Sequence, residues 1–442
     1  MHRAIGLRKD RSMTLLDQLP RLSAYDPGAE GEGGLDPLGL GAVADRIANE
    51  LAPGIRARMS QPRFVTLSAV GAFAYQTLHD LIADDGKTTV DIAFEWLVVE
   101  AVVRHPNNGR MEGMPGNQKA ARAKQVNERL SRRTYLNGPR NFGFTGIYRP
   151  FSRDSGVLTN DDRPAVNAER LVSAWERDFD LHGYTSGIAG TRGGDLRADI
   201  TSACKRTLEK GECAAPATGQ LLRDLSEYLA PREARANERR VLRELVMEGD
   251  HEIRNELTSK LESEPPSDGM SDRDIAYLLV KSASAPTKTV LQAAIDYENA
   301  ATPLDNAFRR FLNFTTQQQG AVITHTDALR TPQLADLSLR IGELVQRAID
   351  SVSQLENELA HDTATKLRRF DRRLSPGQLF EALIERHEEV QAEKGKLSWL
   401  DQILDEWTVR VPYRNQQGNL DDDIWTHPMR LATLVRFLSL TS

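Results

Sequence analysis

Apolar residues recur at three- and four-residue steps along most of this chain, the spacing of helix stripes rather than the period-two alternation of strands. The pattern is clearest after Pro332. There Leu334, Leu337, Ile341, Leu344, Val345, Ala348, Val352, Leu355, Leu359 and Leu367 follow one another, with only Gly342 as an interruption up to about Phe370. One continuous helix of that length would span roughly 55 Å. Ser375, Pro376 and Gln378 then carry a helix start: an N-cap, a first-turn proline and a capping-box partner three residues on. Leu379, Leu383, Ile384, His387 and Val390 form the stripe of that second helix, so a long antiparallel hairpin or coiled coil is expected. Aromatic residues make up 6% of the chain, which suits helices packed on Leu, Ala, Ile and Val. The expected fold is mainly α and multi-domain.

At 442 residues the chain is long enough for about three domains. Its 40% hydrophobic and 27% charged residues are the balance of a water-soluble protein. The longest apolar runs, Leu67 to Ala74 and Trp96 to Val103, fall far short of the roughly 20 residues of a membrane helix. No apolar stretch of secretory type follows the basic residues of Met1 to Lys9. Cys204 and Cys213 are the two cysteines and show no CxxC spacing, consistent with reduced thiols. A cytoplasmic protein without membrane contact is expected.

Helices are predicted over Ala42–Leu51, Pro62–Ala83, Val90–Arg104, Asn117–Arg132 and Ala168–Phe179. Further helices are expected over 196–210, 218–229, 232–247, 251–261 and 272–282, the last with Ser271 as N-cap. A helix from Thr287 to Asn313 should break near Thr302-Pro303, and a last one should run from His427 to Leu440. Tyr25 to Gly41 reads as a linker, and breakers stand at His105–Gly109 and Leu181–Asp195. These divide the chain into an N-terminal helical domain (1–110), a basic middle domain (111–185), a helical domain (186–300) and a C-terminal hairpin with its tail (301–442).

The net charge of −6 conceals a marked asymmetry. Between Arg104 and Arg153 stand eleven cations: Arg104, Arg110, Lys119, Arg122, Lys124, Arg129, Arg132, Arg133, Arg140, Arg149 and Arg153. Glu112 and Glu128 oppose them, so the segment carries 11 − 2 = +9 and the remainder −15. The order of elements here resembles a winged helix-turn-helix. Gly146 to Asp154 would be the recognition helix, starting near Arg149 if Pro150 must occupy its first turn. Val157-Leu158 and Pro164–Val166 would be two small strands, with Thr159 to Arg163 as the wing. Tyr135, Phe142, Phe144, Tyr148 and Phe151 read as exposed rings able to stack on bases. On a DNA-binding reading, Arg129, Arg132, Arg133 and Arg140 contact phosphate, Arg149 and Arg153 lie where bases are read, and Lys119, Arg122, Lys124 and Tyr148 complete the surface. A solvated basic face, or one that docks an acidic protein, predicts the same residues.

No catalytic, metal or cofactor motif emerges. His79-Asp80 and His361-Asp362 lack the further ligands of a metal-dependent HD phosphohydrolase. Gly187 to Gly194 has the glycines of a phosphate loop without its GK[ST] ending, and reads as a flexible hinge. Asp421 to Asp423 reads as a solvated turn. Neither GxSxG nor HExxH occurs.

Residues Leu35 to Val70, through Leu38, Gly39, Gly41, Asp45, Ala48, Leu51, Pro53, Gly54, Arg58 and Phe64, resemble the opening of an uncharacterised bacterial family. Its genes sit among helicases, methylases and nucleases in phage-defence clusters. The resemblance implies a subunit of a defence or DNA-processing machine and carries over no catalytic residue. The function expected is a non-enzymatic DNA-binding subunit with other protein subunits as partners, and the C-terminal helices offer a route to a homo-oligomer. The alternatives are a helical scaffold that binds proteins only and a nuclease whose site escapes motif reading.

Overall fold

The computed structural model describes residues 36–105, 113–232, 234–247, 249–414 and 420–442. The expected linker up to residue 35, the breakers at 106–109, Arg110 and Glu112 lie outside the described residues. The protein is mainly helical, with one small antiparallel sheet. The chain divides into two compact units. Among the described residues, those within 40–302, 343–368 and 422–442 form one compact unit, and those within 36–39, 303–342 and 369–421 form another.

The larger unit is built around α2 (Phe64–Ala74) and α3 (Val90–Arg104). Ten of the eleven α2 residues and thirteen of the fifteen α3 residues are buried, so both are apolar all round and must lie inside the unit. Around them pack α4 (Asn117–Gln125), α6 (Phe144–Asp154), α7 (Val166–Asp178), α8 (Arg192–Lys210) and α9 (Gln220–Tyr228). The short α5 (Pro139–Phe142) lies against α6, and α10 (Ala236–Met247) lies against α7. Next come α1 (Gly41–Leu51), α11 (Glu252–Ser263), α12 (Asp272–Leu279), α16 (Asn357–Leu367) and α18 (Leu431–Leu440). Asp272 receives the N–H groups of Met429, Arg430 and Ala432, so a carboxylate closes the start of α18 where free amides and the helix dipole favour negative charge.

The smaller unit holds three strands, β1 (Val322–Thr324), β2 (Leu400–Ile403) and β3 (Glu406–Val409), in the order β1-β3-β2, all antiparallel. With them stand α14 (His325–Ala328) and α17 (Pro376–Glu393). Its core centres on His387, buried and stacked on Phe308 at 4.5 Å. Its Nδ1 donates to the Pro37 carbonyl at 2.9 Å, and its Nε2 accepts the Trp399 N–H at 3.0 Å. One ring nitrogen must carry a hydrogen and the other must not, so the imidazole is held neutral. Burial pulls its pKa down to about 4.

Several boundaries differ from expectation. α13 (Ala285–Gln317) runs through Pro303 without a break. The proline forfeits one hydrogen bond, but Ala300, Ala301, Thr302 and Leu304 are fully buried and packing holds the turn. Thr302 and Pro303 instead mark where this helix passes from one unit to the other. The single long helix after Pro332 is in fact α15 (Leu334–Val352) and α16, separated by a turn at Ser353–Glu356. The Ser353 hydroxyl bonds back to the Asp350 carbonyl, a competitor for helical backbone groups. α2 ends at Ala74 instead of reaching Ala83. α4 ends at Gln125, because Asn127 turns left-handed (φ 56°) and the Glu128 N–H returns to the Ala123 carbonyl. The glycine-rich stretch at 187–194 contains the start of α8, where Thr191 Oγ1 caps the Gly194 N–H and Gly193 and Gly194 are buried. Gly193 and Gly194 thus belong to a packed helix start, while residues 187–190 form an exposed turn before it.

Candidate nucleic-acid interface

The basic segment is distributed over two places. One is α4 and the turn after it, where Lys119, Arg122, Lys124, Arg132 and Arg133 are exposed. Lys119 donates to the Tyr135 carbonyl and Lys124 to that of Val103, and Arg133 pairs with Glu128 at 2.7 Å. Arg122 and Arg132 have no ion pair among the described residues.

Arg129, from the same turn, faces inward. It pairs with the buried Glu100 at 2.8 Å and reaches Cys213 Sγ at 3.2 Å and the Ala215 carbonyl at 2.5 Å. Glu100 also binds Arg104 at 2.7 Å and the Leu130 N–H at 2.6 Å. Two guanidinium groups offset one buried carboxylate, so Arg129 has a structural task.

The second place is an open cleft of about 540 Å³ in the larger unit, bordered by Arg56, Arg58, Arg140, Arg149 and Arg153. Arg149, Pro150 and Arg153 sit on the outward side of α6, while Phe144, Ile147, Tyr148 and Phe151 fill its inward side. Pro150 lies inside this helix, which begins at Phe144 and not near Arg149. Gly146 permits the construction: a Cβ there would stand 2.0 Å from the Arg140 carbonyl, so only glycine lets α5 lie this close to α6.

The electrostatics are partly balanced. Arg149 pairs with Asp91 at 2.8 Å and Asp162 at 3.2 Å, Arg153 pairs with Asp162 at 2.8 Å, and Arg56 pairs with Asp45 at 3.3 Å. Among the described residues Arg140 has a 3.4 Å contact with Thr89 Oγ1 and no ion pair, and Arg58 stacks over Phe142 at 4.6 Å from its centroid. Five guanidinium groups therefore face three carboxylates. Asp162 is held left-handed (φ 60°) in the turn between α6 and α7, a conformation that aspartate tolerates better than most residues. Arg58 and Arg140 are the donors best placed to take an external anion.

The rings are not a stacking surface. Tyr135, Phe144, Tyr148 and Phe151 are all fully buried. Tyr148 accepts the Gln61 N–H at 2.8 Å and packs on Phe64, so it cannot reach a base. The rings recur along α6 at helical spacing because they form the inward stripe of an amphipathic helix. Phe142 remains half-buried beneath Arg58.

Beneath α6 lies a buried carboxyl. Glu95, on α3, accepts the Thr145 N–H at 2.9 Å, the Thr145 hydroxyl at 2.7 Å and the Tyr135 hydroxyl at 2.7 Å. Gly143, the N-cap of α6, makes room: a Cβ there would stand 2.0 Å from Glu95 Oε1. Burial raises the carboxyl to about 7, against the opposing pull of the Thr145 and Tyr135 hydrogen bonds.

Thus Arg140, Arg149 and Arg153 are brought together, Lys119, Arg122, Lys124, Arg132 and Arg133 lie apart from that cleft, and Arg129 and Tyr148 point inward. Arg56 and Arg58, which join the cleft, lie outside the basic segment; the one trace in the sequence is the pair Arg56-Ala57-Arg58 after the Pro53-Gly54 turn. Of the His-Asp pairs, Asp80 binds His79 and Arg163, and Asp362 binds Arg46. Asp423 pairs with Arg273 at 2.9 Å. Among the described residues no group of three or more His, Cys, Asp or Glu is arranged to hold a metal ion, and no helix is long and apolar enough to cross a membrane. No protein-family model, curated protein or solved structure matches this chain.

Proposed function

We propose that this chain is a non-enzymatic DNA-binding subunit that holds the phosphate backbone in the arginine cleft. The observation that carries the reading is the convergence of Arg56, Arg58, Arg140, Arg149 and Arg153 on one open surface, two of them without a carboxylate partner among the described residues. Guanidinium groups match phosphate oxygens in geometry and stay charged at any physiological pH. The α6–turn–α7 segment serves as a winged-helix-like reader. Supporting this are the antiparallel bridge between Leu158 and Pro164 and the bond from the Ala165 N–H to the Val157 carbonyl, which together close the turn that carries Asp162. The resemblance at Leu35 to Val70 favours work in the cytoplasm within an antiviral defence or DNA-processing complex.

Arg58→Gln with Arg140→Gln tests this reading without breaking an internal ion pair, which a change at Arg129 would do. DNA affinity is measured by fluorescence anisotropy across a salt series. Wild type should bind with a steep salt dependence, and the double variant should bind more weakly with its log–log slope reduced by about two. Absence of wild-type binding at low salt, or an unchanged slope in the variant, refutes the reading. The first of these outcomes leaves a helical scaffold that docks an acidic protein.

A further inference from the structure

We propose that a second pocket in the larger unit, separate from the cleft, binds a phosphate group. It encloses about 340 Å³ and is lined by Gln61, Arg232, Arg239 and Arg436, with Pro62, Pro231, Leu242 and Leu440 among its apolar walls. Its donors come from the turn before α2, the stretch between α9 and α10, helix α10 and helix α18.

Three observations carry the assignment. First, polar groups here lack partners. The buried Gln61 Nε2 and Arg239 Nε have no hydrogen-bond acceptor, and neither Arg239 nor Arg436 has an ion pair among the described residues. A buried donor left unmade costs about 1–3 kcal/mol, so an incoming oxyanion would gain what the empty pocket lacks. Second, among the described residues no carboxylate lines the pocket. Glu238, close by in sequence, is committed to Arg63 at 3.1 Å, with both side chains buried. Third, the Gln61–Arg63 turn is already fixed. The Gln61 N–H donates to Tyr148 Oη, and Arg63 donates to the carbonyls of Tyr228 and Ala230. Donors held in place before binding lose little freedom on binding.

Guanidinium and amide donors arriving from these separate elements suit a tetrahedral oxyanion better than a planar carboxylate, and two unpaired guanidinium groups match the charge of a phosphate dianion. The apolar walls leave room beside it, so the group is either inorganic phosphate or the end of a phosphomonoester.

The test uses the full-length chain carrying Arg58→Gln and Arg140→Gln, so that the cleft does not contribute. Titration calorimetry with inorganic phosphate, and separately with glycerol phosphate, is run at constant ionic strength. Saturable binding is expected. Adding Arg436→Gln, at an exposed position with no ion pair among the described residues, should weaken it about tenfold, and Arg239→Gln should do the same. Tighter binding of glycerol phosphate identifies a phosphomonoester, and tighter binding of phosphate identifies the free anion. Absence of saturable binding to either probe, or affinity unchanged by Arg436→Gln in a chain that melts normally, overturns the proposal. Loss of DNA binding in the parent double variant bears on the cleft alone.

Discussion

Replacing Glu95 by glutamine should stabilise the protein at pH 8 and leave it nearly unchanged at pH 4.5. The carboxyl titrates near 4.5 when exposed and is raised by burial to about 7 in the fold. Between these values the native state binds a proton that the unfolded state has lost, so stability falls as pH rises from 4.5 to 7 and levels off above. A displacement of that size corresponds to about 3 kcal/mol at 1.36 kcal/mol per pH unit. The geometry accommodates the neutral form. A protonated Glu95 Oε1 can donate to Tyr135 Oη, whose own hydrogen then turns to the Pro115 carbonyl 3.2 Å away. Glutamine reproduces this arrangement at every pH: its oxygen accepts from Thr145 and its amide donates to Tyr135. Urea unfolding of wild type and Glu95→Gln at pH 4.5, 6 and 8 therefore reads the term directly, because all other titrating groups cancel in the difference. The variant should gain about 3 kcal/mol over wild type between the extremes, with equal m-values. A gap that does not change with pH, or one that moves in favour of wild type as pH rises, refutes the account of Glu95 as a buried carboxyl that prefers its proton.

Two further outcomes follow from charges already described. His387 should show the opposite pH trend: with its pKa pulled down to about 4, its contribution is complete above pH 6.5 and about 3 kcal/mol is lost as pH falls to 4. Imidazole NMR should report a neutral ring protonated at Nδ1 at pH 6, and a titration midpoint near 6.5 would contradict this. Asp162→Asn removes the carboxylate shared by Arg149 and Arg153 while keeping a residue type tolerant of φ 60°, so DNA affinity should rise severalfold by anisotropy at fixed salt. Unchanged or weaker binding would mean that those arginines do not face the ligand.

Helix ends signalled by side chains within one turn of the chain could be read from the sequence. Ser375 with Gln378 forms the expected capping box, Ser271 caps α12, and α3 begins and ends at the expected residues. Features decided by distant packing could not. Pro303 looks like a breaker until its neighbours are seen to be fully buried, and the turn at Ser353 interrupts a stripe whose apolar spacing continues across it. The three short strands were invisible because segments of three or four residues give no usable period. The rings of α6 illustrate the same limit. Their spacing was plain, but the spacing of an inward stripe and that of a row of exposed rings are identical until the direction of the core is known.

The basic segment shows why local charge is a poor guide to a binding surface. A run of cations marks where positive charge enters the chain, whereas a site depends on which of those charges the fold leaves uncompensated. Arg104 and Arg129 are absorbed by Glu100, deep on a helix whose apolar character gave no reason to expect two buried glutamates within it. Arg149 and Arg153 are shared with aspartates that come from α3 and from the turn after α6. Arg58 and Arg140, eighty-two positions apart in sequence, retain accessible donors because Gly146 lets α5 approach α6 and because the turn after α1 ends beside them. The anion-binding capacity of this surface is thus set by its glycines and aspartates as much as by its arginines, and those are the positions at which changes that leave every arginine in place should still alter affinity.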